Sequence, residues 1–164
     1  MRSLPRAVLA AIVACAALVV AAPPGADGGP PERTFELRTI ATVQSPLTDL
    51  MSAPKQAHEG APQAWLNFDP TVLDGLDALR VGDRVIVLTW LHRADRDVLV
   101  VHPRGDVANP LQGVFSTRSP ARPNPIGLHE VQILEIDGAR VRVDALEALD
   151  GTPVVDVKPV LRRV

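Results

Sequence analysis

The sequence predicts a mainly β protein, a small antiparallel β-barrel with one or two short helices. Short segments of alternating apolar and polar residues recur after residue 33, and Gly, Pro, Asn and Asp separate them. Only residues 70–79 have the apolar spacing of a helix. Because regular helices do not alternate with the strands, an antiparallel barrel is favoured over a doubly wound parallel sheet.

The bounds of the predicted strands follow from the alternation and from the turn residues beside them. Pro70 suits the first turn of the helix, and Asp137-Gly138 predicts a two-residue hairpin turn. The continuous apolar run from Val85 to Leu88 predicts a strand buried on both faces. The predicted strands cover residues 34–43, 64–68, 84–91, 98–101, 113–117, 128–136, 139–143 and 154–157.

Residues 1–32 differ in composition from residues 33–164, and we predict a leader followed by a single barrel domain. Arg2 and Arg6 precede an apolar run over residues 7–22, and Pro and Gly dominate residues 23–31. This order has the shape of a secretory signal, and residues 12–15 resemble a lipoprotein cleavage box that ends at Cys15. The alternative is a disordered extension or a start codon placed too early. We expect a cytoplasmic protein, with export or lipid anchoring through residues 1–22 as the alternative.

Composition narrows the chemistry that the domain can perform. Cys15 is the only cysteine, so residues 33–164 have no disulfide, no thiol nucleophile and no cysteine zinc site. His58, His102 and His129 are predicted to be surface residues without metal-ligand pairing, and no metal is expected. The formal net charge is −2, whereas nucleic-acid binders usually have a basic excess. Any RNA contact must therefore come from a local patch or be weak.

The segment from Gly113 to Leu128 is the richest in candidate site residues. Three prolines (Pro120, Pro123 and Pro125) fix their own φ angles and restrict the residues before them, so the segment is stiff before any ligand binds. Gly127 is expected to permit a tight or positive-φ turn. The stiff segment would display a ligand clamp of Arg118, Ser119, Arg122 and Asn124. The alternative is a proline-stiffened corner with two solvated arginines.

The run Gly-Val-Phe-Ser-Thr-Arg-Ser at 113–119, followed by Arg-Pro-Asn-Pro-Ile-Gly-Leu at 122–128, resembles the signature of the TrmO (TsaA-like) family. Three further segments resemble that family in the same order: residues 39–46, 90–92 and 150–159. Together they extend over nearly the whole domain. The chain is therefore identified as a member of this family by resemblance.

The resemblance implies a barrel that binds S-adenosylmethionine, usually as a homodimer. It implies methylation at N6 of N6-threonylcarbamoyladenosine, at position 37 beside the anticodon of tRNA. Arg118 or Arg122 would stabilise charge on the substrate carbonyl, and His92 would accept a proton. By motif position, the implied cofactor contacts are Pro54, Lys55, Gln56, His92, Arg93, Arg118, Leu128, Asp144, Ala145, Leu146 and Glu147.

Two departures from the family pattern leave the substrate open. The loop over residues 47–62 is short, and the longer family members have a basic stretch before the signature and an additional C-terminal domain. A methyltransferase acting on a small molecule is the first alternative, which the short chain and the acidic net charge favour. A non-catalytic barrel that binds S-adenosylmethionine is the second, and an exported lipoprotein that uses the same barrel is the third.

Overall fold

The computed structural model describes residues 34–161, and six strands of this part of the chain close into a barrel in the order β1-β2-β7-β6-β3-β8. Every pairing in the barrel is antiparallel. The predicted mainly β barrel is confirmed. The strands are β1 (Ala41–Gln44), β2 (Ala64–Phe68), β3 (Arg84–Trp90), β4 (Val100–Val101), β5 (Gln112–Gly113), β6 (Ile126–Asp137), β7 (Arg140–Val143) and β8 (Pro153–Pro159), of which β4 and β5 form a separate two-stranded ribbon.

The alternation along each strand separates the interior of the barrel from its outer surface. In β6 the side chains of His129, Val131 and Ile133 are buried, while those of Leu128 and Glu130, which point to the other face, are exposed. Each apolar side chain that is fully buried stabilises the fold by about 1.5–3 kcal/mol. The main cluster comprises Ala41, Val43, Ala64, Leu66, Phe68, Val85, Val87, Val131, Ile133, Val141, Val143, Leu146, Ala148 and Val154.

The prediction that β3 is buried on both faces is wrong. Val85 and Val87 point into the barrel, whereas Ile86 and Leu88 are only half-buried on its outer surface. The reason is architectural, because a strand of a closed barrel has one interior face and no helical layer covers the other. Among the described residues, the helical segments are short 3₁₀ turns.

Several predicted element bounds also change. Residues 34–40 are irregular, so the first strand begins at Ala41, and the ribbon strands β4 and β5 are only two residues long. Val114–Ser116 turns into a 3₁₀ helix where a strand was predicted. The predicted helix is a 3₁₀ helix over Pro70–Leu76. Its N-terminus is capped by the Asp69 carboxylate, which accepts a hydrogen bond from the Thr71 N–H. Gly75 lowers helix propensity in so short a segment, which favours the tighter 3₁₀ form. The other 3₁₀ segments are Ala57–Glu59 and Pro103–Gly105.

Two glycines have roles other than those predicted. The hairpin turn consists of Gly138 and Ala139, because Asp137 still pairs with Arg140 and Gly138 has a φ of 56°. Gly127 lies within β6 and its φ is not positive, so its role is not that of a turn residue.

The predictions for residues 1–32 lie outside the described part of the chain. Within residues 34–161, no helix has the length and apolarity needed to cross a membrane.

Candidate functional site

One end of the barrel is polar where the rest of its interior is apolar. We call this the polar end; it lies where β1 and β3 finish and where β6 and β8 begin. The buried polar residues of the described chain all belong to it: Ser45, Thr89, His129 and Thr152. The connections over residues 45–63, 91–125 and 144–152 join strands at this end. The segments that the sequence singled out therefore meet at one end of the molecule.

The signature segment forms a corner that is held by one arginine. The guanidinium of Arg122 donates to three backbone carbonyls, through Nε to Ser119 (2.8 Å) and through Nη2 to Thr117 (2.7 Å) and Val114 (3.1 Å). The Arg122 N–H also donates to the Asp95 carbonyl at 3.0 Å. Because Nε and Nη2 donate to carbonyls inside the corner, Arg122 fixes the backbone conformation of this segment. Arg118 extends from the same corner and is exposed.

Three side chains from different elements form a row of polar groups at the polar end, in which Thr89 and His129 are buried and Glu147 is half-buried. Thr89 Oγ1 lies 2.9 Å from His129 Nε2, and His129 Nδ1 lies 3.1 Å from Glu147 Oε1. The second contact is an ion-pair distance without hydrogen-bond geometry, and Glu147 Oε2 is buried without a hydrogen-bond partner among the described residues. The structure therefore leaves acceptor capacity on Glu147 beside the loops of the polar end.

Two opposing effects act on the pKa of Glu147, and the result lies below its ordinary value of 4.5. Burial raises the pKa, whereas the contact with His129 and the positive charge of Arg118 lower it and prevail. Glu147 is therefore a carboxylate at neutral pH. The positive charge of Arg118 therefore acts on this carboxylate at the polar end without forming an ion pair with it.

The remaining predicted site residues fall into two groups. His92 and Arg93 are exposed and follow Leu91, whose N–H donates to the Pro125 carbonyl at 2.8 Å. Arg93 Nη1 donates to the Thr48 carbonyl at 3.4 Å, which connects this loop with the one after β1. Both residues are therefore adjacent to the signature corner.

The residues of the second group make hydrogen bonds or packing contacts within the fold. Lys55 donates from its backbone N–H to Glu59 and from Nζ to the Arg104 carbonyl, while Pro54 and Gln56 are half-buried beside it. Asp144 Oδ1 accepts from the Gln132 N–H at 2.7 Å, where β6 and β7 shift register. Ala145 is half-buried, and the side chain of Leu146 is wholly inside the core. Of the described residues in the segment 144–147, only Glu147 has a buried acceptor oxygen, Oε2, without a hydrogen-bond partner.

A comparison with known families decides the relationship of this barrel to other proteins. Residues 42–164 match the family described as the tRNA-methyltransferase O N-terminal domain. The chain belongs to this family. The TrmO prediction drawn from the signature residues is thereby confirmed.

Two relatives of this TrmO-family chain are archaeal proteins. A "Probable S-adenosyl-L-methionine-binding protein" of Methanothermobacter thermautotrophicus is 45% identical over 125 residues, which is 76% of this chain and 89% of the relative. An "S-adenosyl-L-methionine-binding protein" of Archaeoglobus fulgidus is 42% identical over 122 residues, 74% of this chain and 86% of the relative.

Solved structures share the barrel of this TrmO-family domain. A crystal structure of TrmO from Pseudomonas aeruginosa superposes with a TM-score of 0.63 at 27% identity, and another crystal structure of TrmO gives 0.65 at 28%. Both comparisons cover 79% of this chain, but this chain spans only 57% and 58% of those two proteins.

The prediction that His129 is a surface residue of this TrmO-family barrel is wrong, since the residue is 5% exposed. The alternation of β6 contains the signal, because His129 shares its phase with Val131 and Ile133 and so points inward. Thr89 and Gly127 were not predicted as parts of the site, since nothing in one sequence pairs β3 with β6. The guanidinium carbon of Arg96 lies over the Trp90 ring, 5.3 Å from its centre.

Proposed function

We propose that this chain is an S-adenosylmethionine-dependent methyltransferase that methylates N6 of N6-threonylcarbamoyladenosine at position 37 of tRNA. The observation that carries the proposal is the match of residues 42–164 to the tRNA-methyltransferase O N-terminal domain. The two archaeal relatives described above are named for binding S-adenosylmethionine, which supports the same cofactor here.

The residues at the polar end fit this cofactor. S-adenosylmethionine carries a carboxylate, an ammonium group, ribose hydroxyls and an adenine with apolar faces. Arg118 offers a cation to the carboxylate, and Glu147 offers an acceptor to an ammonium or a hydroxyl. Leu128 and Ile126, which are 46% and 43% exposed at the start of β6, offer an apolar surface to the adenine.

When bound, the cofactor supplies an activated methyl group on its sulfonium. The chain supplies the alignment of donor and acceptor. Arg118 is the arginine suited to stabilise charge on the substrate carbonyl, because the guanidinium of Arg122 is engaged by three carbonyls of the corner. We therefore assign Arg122 a positioning role, and Arg118 and His92 the contacts with substrate or cofactor. Both of these side chains are exposed at the polar end.

Calorimetric titration of S-adenosylmethionine into the full chain, with S-adenosylhomocysteine in parallel, tests the cofactor. Arg118→Ala is expected to lower affinity or methylation rate by about tenfold or more, as the loss of one charge-assisted hydrogen bond requires. Arg80→Ala is the matched control, since Arg80 is exposed beside the turn at the opposite end of the barrel. Equal affinity and rate in Arg118→Ala and Arg80→Ala would exclude Arg118 from the site.

Mass spectrometry of tRNA after incubation with the chain and cofactor tests the substrate. A mass increase of one methyl group on the threonylcarbamoyl-adenosine nucleoside supports the proposal. Cofactor binding with turnover of a small molecule and none of tRNA would establish the first alternative. Cofactor binding without any turnover would establish a non-catalytic barrel.

The proposed homodimer has candidate contact residues in the ribbon and in the corner. Leu99, Val100 and Phe115 are apolar and between 58% and 81% exposed, which favours an interface over isolated solvated side chains. Sedimentation equilibrium should give twice the chain mass, and Phe115→Ser should shift the protein toward the monomer. A wild-type monomer at all concentrations would contradict the proposal.

A cytoplasmic location also remains a proposal. It follows from the tRNA substrate, which is found in that compartment. Fractionation of cells expressing the full chain, with analysis for lipid on Cys15, separates it from export or lipid anchoring.

A further inference from the structure

The row of polar side chains Thr89, His129 and Glu147 connects three separate elements of the fold. Thr89 belongs to β3, His129 to β6 and Glu147 to the segment between β7 and β8. The contact distances are 2.9 Å between Thr89 and His129 and 3.1 Å between His129 and Glu147. The imidazole therefore links a strand interior to a carboxylate at the polar end.

The contact between Thr89 and His129 has room only because residue 127 is a glycine and has no side chain. A Cβ at that position would lie 2.3 Å from Thr89 Oγ1 and 2.6 Å from His129 Nε2. Both distances are far shorter than a van der Waals contact between such atoms. Gly127 is thus required by the close approach of the imidazole and the hydroxyl.

Folding alone does not account for polar groups at these positions. Burial of a hydroxyl, an imidazole and a carboxylate costs free energy that apolar side chains would avoid. The interior of the same strands is otherwise apolar, as Val87 and Val131 show. Moreover, Glu147 Oε2 is buried without a hydrogen-bond partner among residues 34–161, which is uncommon unless a ligand or function uses it.

We propose that His129 is a positioning residue of the cofactor site, which holds the Glu147 carboxylate in place through its contacts with Thr89 and Glu147. This inference rests on the proposed function for the identity of the ligand. Nδ1 faces the Glu147 carboxylate at 3.1 Å, and a carboxylate favours the imidazole proton on that nitrogen. Nε2 is then the acceptor, and the Thr89 hydroxyl donates to it at 2.9 Å. Glu147 Oε2 is then left to accept a hydrogen bond from the ammonium or a ribose hydroxyl of the cofactor.

Titration of the Glu147 carboxyl by carbon NMR tests this role without any ligand. The titratable side chains that act on Glu147 are His129 and Arg118. In His129→Leu, burial remains while one stabilising partner is lost, so the pKa of Glu147 is expected to rise. Val131→Ala is the control, because it removes buried methyl groups from the same face of β6 without altering the row of polar side chains. An unchanged Glu147 titration in His129→Leu would overturn the proposal.

The pH profile of cofactor affinity provides the second test. In wild type, affinity for S-adenosylmethionine should be constant at every pH above the Glu147 pKa. In His129→Leu, we expect the affinity at neutral pH to be about tenfold lower than in wild type. As the pH is lowered, the affinity of this variant should also begin to decline at a higher pH than that of wild type, because its Glu147 pKa is raised. His129→Gln, whose amide keeps a donor and an acceptor, should recover part of the affinity. Thr89→Val, which keeps the side-chain shape without the hydroxyl, should shift the profile in the same direction as His129→Leu, and it replaces that variant where His129→Leu does not fold.

The two proposals fail in different ways. No binding of S-adenosylmethionine by folded wild type contradicts the proposed function, and the carboxyl titration still measures the role of His129. Wild-type affinity and pH profile in folded His129→Leu and Thr89→Val contradict the positioning role alone.

Discussion

At the scale of single residues, Gly127 shows how one missing side chain permits a polar group in a barrel interior. Gly127→Ala places a methyl group 2.3 Å from Thr89 Oγ1, so neighbouring atoms must move. We expect a loss of about 1–3 kcal/mol in the free energy of unfolding, as in other overpacked cores. Urea unfolding measures it. Gly75→Ala is the control, because nothing lies within 4 Å of its Cβ position, and it should be neutral or slightly stabilising.

A single residue, Glu147, also makes the stability of the protein depend on pH. Its pKa is depressed in the folded state, so its ionised form stabilises the fold above the unfolded value near 4.5. This contribution is lost as the pH falls through the lower, folded-state pKa. The difference in unfolding free energy between wild type and Glu147→Gln should therefore shrink as the pH falls below about 4.5. A difference that is constant with pH would show that the Glu147 pKa is not depressed.

At the scale of elements, the signature corner depends on the forked geometry of one guanidinium. Arg122 satisfies three carbonyls at once, which a single ammonium group does not reproduce. Arg122→Lys is expected to destabilise the protein by about 1–3 kcal/mol, because carbonyls of the corner lose their donors. Thermal and denaturant unfolding measure this loss. Arg118→Lys, on the exposed side of the same corner, should leave stability unchanged; equal losses in both variants would contradict the assigned role of Arg122.

At the scale of the whole molecule, one apolar interior stabilises the six-stranded barrel. Leu66 is 1% exposed on β2, between β1 and β7. Leu66→Ala should lower the free energy of unfolding by about 2–5 kcal/mol, because it removes buried methyl groups and leaves a cavity. Leu111→Ala is the control, since Leu111 is 60% exposed and should change stability little. Similar losses in the two variants would contradict the assigned interior.

The elements that could be predicted are those whose signal is local. Alternation located the barrel strands β2, β3, β6 and β8 within a few residues. The signature residues and three further segments led to the family, which the match over residues 42–164 confirms. The candidate positions Arg118, Leu128 and Glu147 came from the same resemblance, and their roles remain proposals.

Contacts between residues far apart in the chain were decided only by the tertiary structure. The alternation of β6 gave His129 an inward phase, but its neighbours depend on the pairing of β3 with β6 and on the segment after β7. The same holds for Arg122, whose three carbonyl partners exist only once the corner has folded. Periodicity specifies which face of a strand is buried, because it is a property of the backbone, whereas the partner across the barrel is set by register and closure.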